Sequence, residues 1–325
     1  MQQRVEVIKI FALSRVYYVA SILPIRKGQV EKFESIMGNF IWKGRILRVA
    51  LAELKNGCLA GGLNLPCLET MNRALVSSQC IRLLKSEDRK SIDHLDYWMG
   101  SLLQNVFPDM GHVAEASSTP QFFTFIADNL AELMMNDLLN SNSVTEVTNK
   151  LIYSKIAQFP APKVVVESNV NYTLAWKRLH DSLLSSEEKD HMFMLLHNKL
   201  PVLERLHRLG VKDNPSCLVC PGQTDNILHH FCSCLRTKRI WLWLRSQIST
   251  FANIRLLSDW ELLNLTFSEI RHANEITWMV GSFVRYAWVA ESDEELQVDK
   301  FFGYLTYKYR ERRTSLQNIR IVFGL

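Results

Sequence analysis

The residues best able to do chemistry lie in one short stretch. Cys217-Leu-Val-Cys220 is followed, after eight intervening residues, by the pair His229-His230, with Cys232 and Cys234 just beyond. Zinc takes four nitrogen or sulfur ligands at tetrahedral corners, and a two-residue gap lets one tight turn present two thiolates to one ion. Pro221-Gly222 supplies a turn directly after the pair, where the chain must reverse. Cys217, Cys220 and Cys234 with one histidine therefore form a CCHC set, and spacing alone leaves both histidines open. On a straight helix His230 and Cys234, four apart, share a face. His229 and Cys234, five apart, need an irregular turn. Four protein ligands close the coordination sphere, so the expected role of a Zn2+ ion is structural, with no open position for water or substrate. Such a site would contribute roughly 10–16 kcal/mol of apparent binding energy to a segment with little core of its own.

The other histidines, at positions 94, 112, 180, 191, 197, 207 and 272, are scattered, and none stands at nucleophile–base spacing from a serine or cysteine. His191 and His197 lie six apart rather than the four that put two metal ligands on one helix face. They read as exposed or hydrogen-bonded core residues. The sequence also has no glycine-rich phosphate loop, internal repeat or low-complexity tract.

The elements that must hold the knuckle read as helices. Asn226 begins a stretch that looks like one helix through Trp241 to Leu244, which would display Arg236, Lys238, Arg239 and Arg245. Upstream, Ser185-Ser-Glu-Glu188 is a capping box opening a helix that ends at Leu200-Pro201, and Val202 to Leu209 forms a shorter one stopped by Gly210. Apolar residues at three- and four-residue steps predict helices over 5–23, 30–43, 70–84, about 120–140 and 144–157. Residues 259–313 return to that periodicity with Trp278, Phe283, Trp288, Phe301 and Phe302 as anchors. Val164 to Val166 is the one plausible strand. Pro160-Ala161-Pro162 marks a boundary.

Composition agrees with a folded protein: 47% of the 325 residues are hydrophobic and 22% charged. The most apolar stretch, Val5 to Leu23, carries Glu6, Lys9 and Arg15, so no membrane span is expected. No secretory signal is evident at the N-terminus, which favours a reducing intracellular compartment and argues against disulfides for the seven cysteines. The net charge of +5 is modest, but residues 1–66 hold ten basic and four acidic side chains. Excess positive charge at the front is where a polyanion would be met.

Several of these segments carry a resemblance. Arg4 to Ser14, Tyr17-Tyr-Val-Ala-Ser-Ile-Leu-Pro24, Phe33-Glu-Ser-Ile-Met-Gly-Asn-Phe-Ile-Trp42-Lys-Gly44 and Gly61-Gly-Leu-Asn-Leu-Pro66 resemble the thumb that follows the polymerase palm in non-LTR (LINE-type) retrotransposon reverse transcriptases. Leu196-His-Asn-Lys-Leu-Pro201 and the Cys217 to Cys234 segment, with Trp241, are similar to the reverse-transcriptase zinc-binding domain at the C-terminal end of those polyproteins. In that family the ligand histidine is commonly followed by an apolar residue and Phe, with the last cysteine five positions on. His229 fits that pattern, with His230 in the usual apolar place.

The resemblance implies a mainly α protein: thumb-like helices over 1–66, a helical connector over 67–160, the zinc-binding domain over 161–258 and a helical region over 259–325. It implies RNA or an RNA–DNA hybrid as partner. Arg15, Arg26, Lys27, Lys32, Lys43, Arg45 and Arg48 would contact phosphates, together with the four cations after the knuckle and with Lys308, Arg310, Arg312 and Arg313, which interleave with Tyr304, Tyr307 and Tyr309. Trp42 either stacks on a base or packs in the core. The palm's Tyr/Phe-x-Asp-Asp motif is absent, since the sequence contains no Asp-Asp dipeptide. Without paired carboxylates for two magnesium ions, binding without catalysis is expected, with the polymerase and endonuclease portions upstream. A helical protein–protein adaptor derived from such an element, with no nucleic-acid role, is the alternative.

Overall fold

The computed structural model describes residues 1–43, 49–85, 89–104, 119–136, 147–157, 172–252, 257–268, 270, 272–290 and 295–311. The protein is mainly α-helical. Among the described residues no strand forms, and the one β-type contact is an isolated bridge between Ser216 and Thr224. The proposed strand at Val164 to Val166 and the boundary at Pro160 to Pro162 lie outside the described residues.

In chain order, α1 (Gln2–Val7) runs through a π-helical turn, Ile8–Leu13, into α2 (Ser14–Ala20), and α3 (Lys27–Ile41) follows. Next come α4 (Leu51–Lys55), a 3-10 turn at Cys58–Ala60, α5 (Leu68–Leu84), α6 (Arg89–Leu103), α7 (Gln121–Met135) and α8 (Asn149–Ile156). The remainder is α9 (Tyr172–Asp181), α10 (Ser186–Leu196), α11 (Leu203–Arg208), a π turn at His229–Ser233, α12 (Lys238–Ala252), α13 (Asp259–Leu263), α14 (Ala273–Val289) and α15 (Val298–Glu311). The single helix expected from Asn226 to Leu244 is two pieces. Cys234 turns extended, with ψ 135°, and α12 begins only at Lys238.

These elements group into two compact units. One gathers Arg4–Gly44 and Leu65–Pro160; the other gathers Met1–Gln3, Arg45–Asn64 and Ala161–Leu325. In the first, α5 contributes Ala74, Val76, Cys80 and Ile81 to a core closed by Leu95, Met99 and Leu103 of α6, Ile126, Leu130 and Leu133 of α7, and Ile152 and Ile156 of α8. Burial pushes the Cys80 thiol up to about 12, so it behaves as a small apolar side chain. The buried Asn72 amide fastens the end of α2: it donates to the carbonyls of Ala20 and Leu23 and accepts from the Ile25 N–H at 2.9 Å.

The second unit surrounds α14. Trp176, Phe193, Phe231, Trp241, Trp278, Phe283 and Phe301 are all essentially fully buried there. The capping box at Ser185 forms: the Glu188 carboxylate accepts from the Ser185 N–H at 2.7 Å, and the Ser185 hydroxyl accepts from the Glu188 N–H. The same carboxylate is buried and also accepts from Ser282 Oγ at 2.9 Å and Tyr304 Oη at 3.2 Å, with Lys308 Nζ 4.0 Å away. It thereby ties α10 to α14 and α15. The loop before α5 belongs to this unit as well. Gly61 sits at φ +81°, and a Cβ there would meet the Trp176 indole at 2.9 Å. Its carbonyl accepts from the ring N–H of buried His197, at 2.8 Å from Nε2.

Candidate metal centre

Two local structures converge to build the site. The first is the hairpin-like turn around Cys217 and Cys220. The Gln223 N–H donates to the Cys220 carbonyl at 3.2 Å across Pro221-Gly222, with Gly222 at φ +81°. Proline fixes the first corner of such a turn and glycine supplies the left-handed second corner. The Cys217 N–H closes the ladder on the Gln223 carbonyl at 2.7 Å. Both thiols therefore emerge from one side of a short, rigid reversal.

The second is the π turn. The Cys234 N–H donates to the carbonyl of His229, five residues back, at 2.7 Å. A π turn spreads its residues more widely around the axis than an α turn, so positions i and i+5 come into register where i and i+4 would on an α-helix. That is the irregular turn a His229–Cys234 pair requires. Asn226 starts it, its Oδ1 accepting the His229 N–H at 2.8 Å.

The ligand atoms of Cys217, Cys220, His229 and Cys234 all lie within 4.8 Å of one another. The Sγ of Cys234 is 3.7 Å from that of Cys217 and 3.9 Å from that of Cys220. With Zn–S bonds near 2.3 Å, the edge of a tetrahedron is about 3.8 Å, so these spacings suit zinc, and they far exceed a disulfide bond. The Ser233 hydroxyl lies 3.3 Å from His229 Nδ1, placed to accept its proton in the tautomer that leaves Nε2 bare for a metal. Nε2 is buried without a hydrogen-bond partner. A buried polar atom with no partner is costly, and a cation among the three sulfurs would answer it. The Leu235 N–H points at Cys220 Sγ at 3.3 Å, an arrangement that stabilises a thiolate.

His230, the other candidate, is not in the cluster. Its Nδ1 lies 3.0 Å from Asp225 Oδ1, and its ring lies against Phe231 and Trp288. Burial alone would raise the Asp225 pKa, but hydrogen bonds from His230 and from the Leu203 N–H hold it below the ordinary carboxylate value. His230 Nε2 is also partnerless, so an empty nitrogen alone does not distinguish the two; their placement relative to the sulfurs does. Cys232 is not among the four and is a buried thiol, its pKa raised first by burial and then by Asp259. Burial, reinforced by the adjacent Cys217 and Cys220, likewise raises the Cys234 thiol to about 12. Those conditions resist three thiolates unless a cation joins them.

Residues 164–241 match the family described as zinc-binding in reverse transcriptase. The match spans the whole cluster and ends at Trp241, so this part of the chain is a reverse-transcriptase-related region. No curated protein matches the chain.

The basic residues read from the sequence meet different fates. Arg15, Arg26, Lys27, Lys32 and Lys43 are exposed in the first unit. In the second, Lys238, Arg239 and Arg310 are exposed. Arg236 instead donates to the carbonyls of Ala287 and Ala290, and Arg245 to Asp259 Oδ1 and the Leu257 carbonyl. Lys308 faces Glu188 and lies over the Tyr304 ring, with Tyr309 buried and Tyr307 exposed. Arg45, Arg48, Arg312 and Arg313 lie outside the described residues. Trp42 is a core residue, only 8% exposed. Sequence reasoning missed the side-chain contacts around the knuckle: Asn226 accepts the His229 N–H, Ser233 lies against His229 Nδ1, and Asp225 pairs with His230. Asn226 has a readable signal, since an Asn three residues before a helical His is a capping pattern.

Proposed function

We propose that this protein is a zinc-stabilised nucleic-acid-binding portion of a non-LTR retrotransposon reverse transcriptase, acting in target-primed reverse transcription as a binding element without polymerase chemistry of its own. The observation that carries this reading is the four-ligand cluster inside the segment that matches the reverse-transcriptase zinc-binding family. Cys217, Cys220, His229 and Cys234 would hold the ion, which neutralises the thiolates and fixes the knuckle against α12. The resemblance of residues 4–66 to a thumb supports RNA or an RNA–DNA hybrid as the ligand. So do the exposed cations Arg15, Arg26, Lys27, Lys32 and Lys43, with Lys238 and Arg239 beside the knuckle. The missing Asp-Asp pair supports binding without catalysis.

The test is elemental analysis of the purified chain followed by a salt titration of RNA binding. One zinc per chain is expected, with log affinity falling linearly against log salt. Replacing Arg26, Lys27 and Lys32 by Gln should lower the slope by about 2, since each phosphate contact to a single strand contributes about 0.7. An unchanged slope removes those residues from the interface. A chain that holds zinc, ignores RNA and binds a protein with no salt dependence would favour the adaptor.

A further inference from the structure

Beside the knuckle, the second unit carries a cleft that the zinc site does not use. Tyr172 and Trp260 both line it, with ring centroids 6.1 Å apart and planes at 87°. Trp260 is held rigidly. It lies in α13, whose capping box pairs Ser258 with Glu261 and whose backbone is bonded by the Asn264 amide at 3.0 Å. Polar side chains of Asn198, Asn226 and Glu204 also line the cleft, among apolar ones such as Leu196 and Ile227. The cleft holds about 200 Å³, below the roughly 300 Å³ at which drug-sized pockets begin and suited to one flat ring system.

Asn198 also lines a second, adjoining cleft of about 150 Å³, whose other walls include Lys199, Arg205 and Arg208. Asn198 takes a left-handed conformation, φ +52°, to end α10, and this turn places Lys199 directly after the helix C-terminus. Arg205 is braced on the Lys199 carbonyl. The result is an aromatic slot with amide edges joined to a cationic recess. A nucleotide has the same plan: a flat base beside an anionic phosphate.

The slot also has a preference. Glu204 carries the one carboxylate on its described wall, and that carboxylate accepts hydrogen bonds but cannot donate them. Among the bases, guanine presents adjacent N1–H and N2–H donors on its Watson–Crick edge, which a carboxylate pairs in bidentate fashion; uracil and adenine do not.

We propose that these two clefts form a nucleotide-binding site for single-stranded nucleic acid that favours guanine. The base stacks against Trp260 with its edge on Glu204, and the phosphate lies at Lys199 and Arg208. The inference rests on the nucleic-acid-binding reading and narrows it to a place and a base.

The experiment uses the full zinc-loaded chain and two probes in parallel: free 5′-GMP, 5′-AMP and 5′-UMP by saturation-transfer NMR, and short single-stranded RNAs with and without guanine by fluorescence anisotropy. GMP is expected to bind best. Glu204→Gln, an isosteric change, should erase the guanine preference. Trp260→Ala should weaken every nucleotide roughly tenfold, the order of one lost base–aromatic stack. Lys199→Gln with Arg208→Gln should lower the salt slope by about 1.4. RNA binding that persists with no base preference, unchanged in all the variants, overturns this site and leaves the general nucleic-acid role standing. A wild-type chain that binds neither RNA nor GMP overturns both. GMP binding that depends on Glu204 and Trp260, in a chain that ignores longer RNA, overturns the single-strand role of the clefts and leaves a mononucleotide pocket in its place.

Discussion

Removing the metal should melt one half of the knuckle and spare the other. Of residues 213–224, only Cys220 is buried, so the stretch has almost no apolar surface with which to offset its ordering. Fixing twelve residues costs about 12 kcal/mol even at about 1 kcal/mol each, the low end of the range. Four backbone hydrogen bonds, Cys217 to Gln223, Gln223 to Cys220, Asp225 to Pro215 and Asn226 to Thr224, return about 1 kcal/mol apiece. The remaining 8 kcal/mol or so is near the lower end of what a structural zinc provides, roughly 10–16 kcal/mol. The other half is anchored independently: Phe231 and Trp241 are both 0% exposed, and each contacts the Phe283 ring. Hydrogen exchange read by mass spectrometry with and without a chelator should therefore show lost protection over 213–224, with the His229–Ser233 turn, α10 and α14 unchanged. Protection of 213–224 that survives chelation would refute the reasoning, and so would exchange spreading through α14.

The geometry also separates the two histidines. His229→Ala should cost the chain its zinc, while His230→Ala, which breaks only the pairing with Asp225, should keep full stoichiometry by elemental analysis; the reverse outcome would mean the π turn is misassigned. Glu188 should set the acid limb of stability. Burial raises its pKa, but the hydrogen bonds from Ser185 and Ser282 and the charge of Lys308 outweigh it, so the folded value lies below the ordinary one. A depressed carboxylate stabilises the fold fully above its unfolded pKa, about 4.3, and that contribution is lost as pH falls through the lower folded value. Glu188→Gln should therefore cost about 2–3 kcal/mol in urea unfolding at pH 7 and flatten the stability decline below pH 4.5; parallel curves for the two proteins would contradict this.

The helices were legible where one apolar stripe met one core. The periods read over 30–43 and 70–84 correspond to α3 and α5, and the Ser185 box opens α10 as its residues require. α6 was not read because Asp93, His94 and Asp96 interrupt its pattern, although Leu95, Met99 and Leu103 form a clean four-residue stripe into the core. The break at Cys234 escaped notice because apolar residues continue on both sides of it. What fixes the break is a hydrogen-bond register, Cys234 to His229, which no composition records. The five-residue gap between a histidine and a cysteine was the available clue, since ligands at that spacing converge only if the turn widens.

The basic residues show a different limit. Charge can be counted along a chain, but whether an arginine meets solvent depends on which helix ends lie near it. The last carbonyls of a helix have no intrahelical partners, and a guanidinium with five donors is well suited to cap them. Arg236 does so at the end of α14, taking the carbonyls of Ala287 and Ala290, while buried Arg178 takes the carbonyls of Leu265, Phe267 and Ser268 in the loop after α13 and stacks on the Phe267 ring at 4.0 Å. Arg236 looks, in sequence, like its neighbours Lys238 and Arg239, which remain exposed. A lysine has one terminal nitrogen and cannot span two carbonyls as effectively. An arginine beside a helix terminus can therefore serve as a strut while neighbours of the same charge, Lys238 and Arg239, stay in solvent.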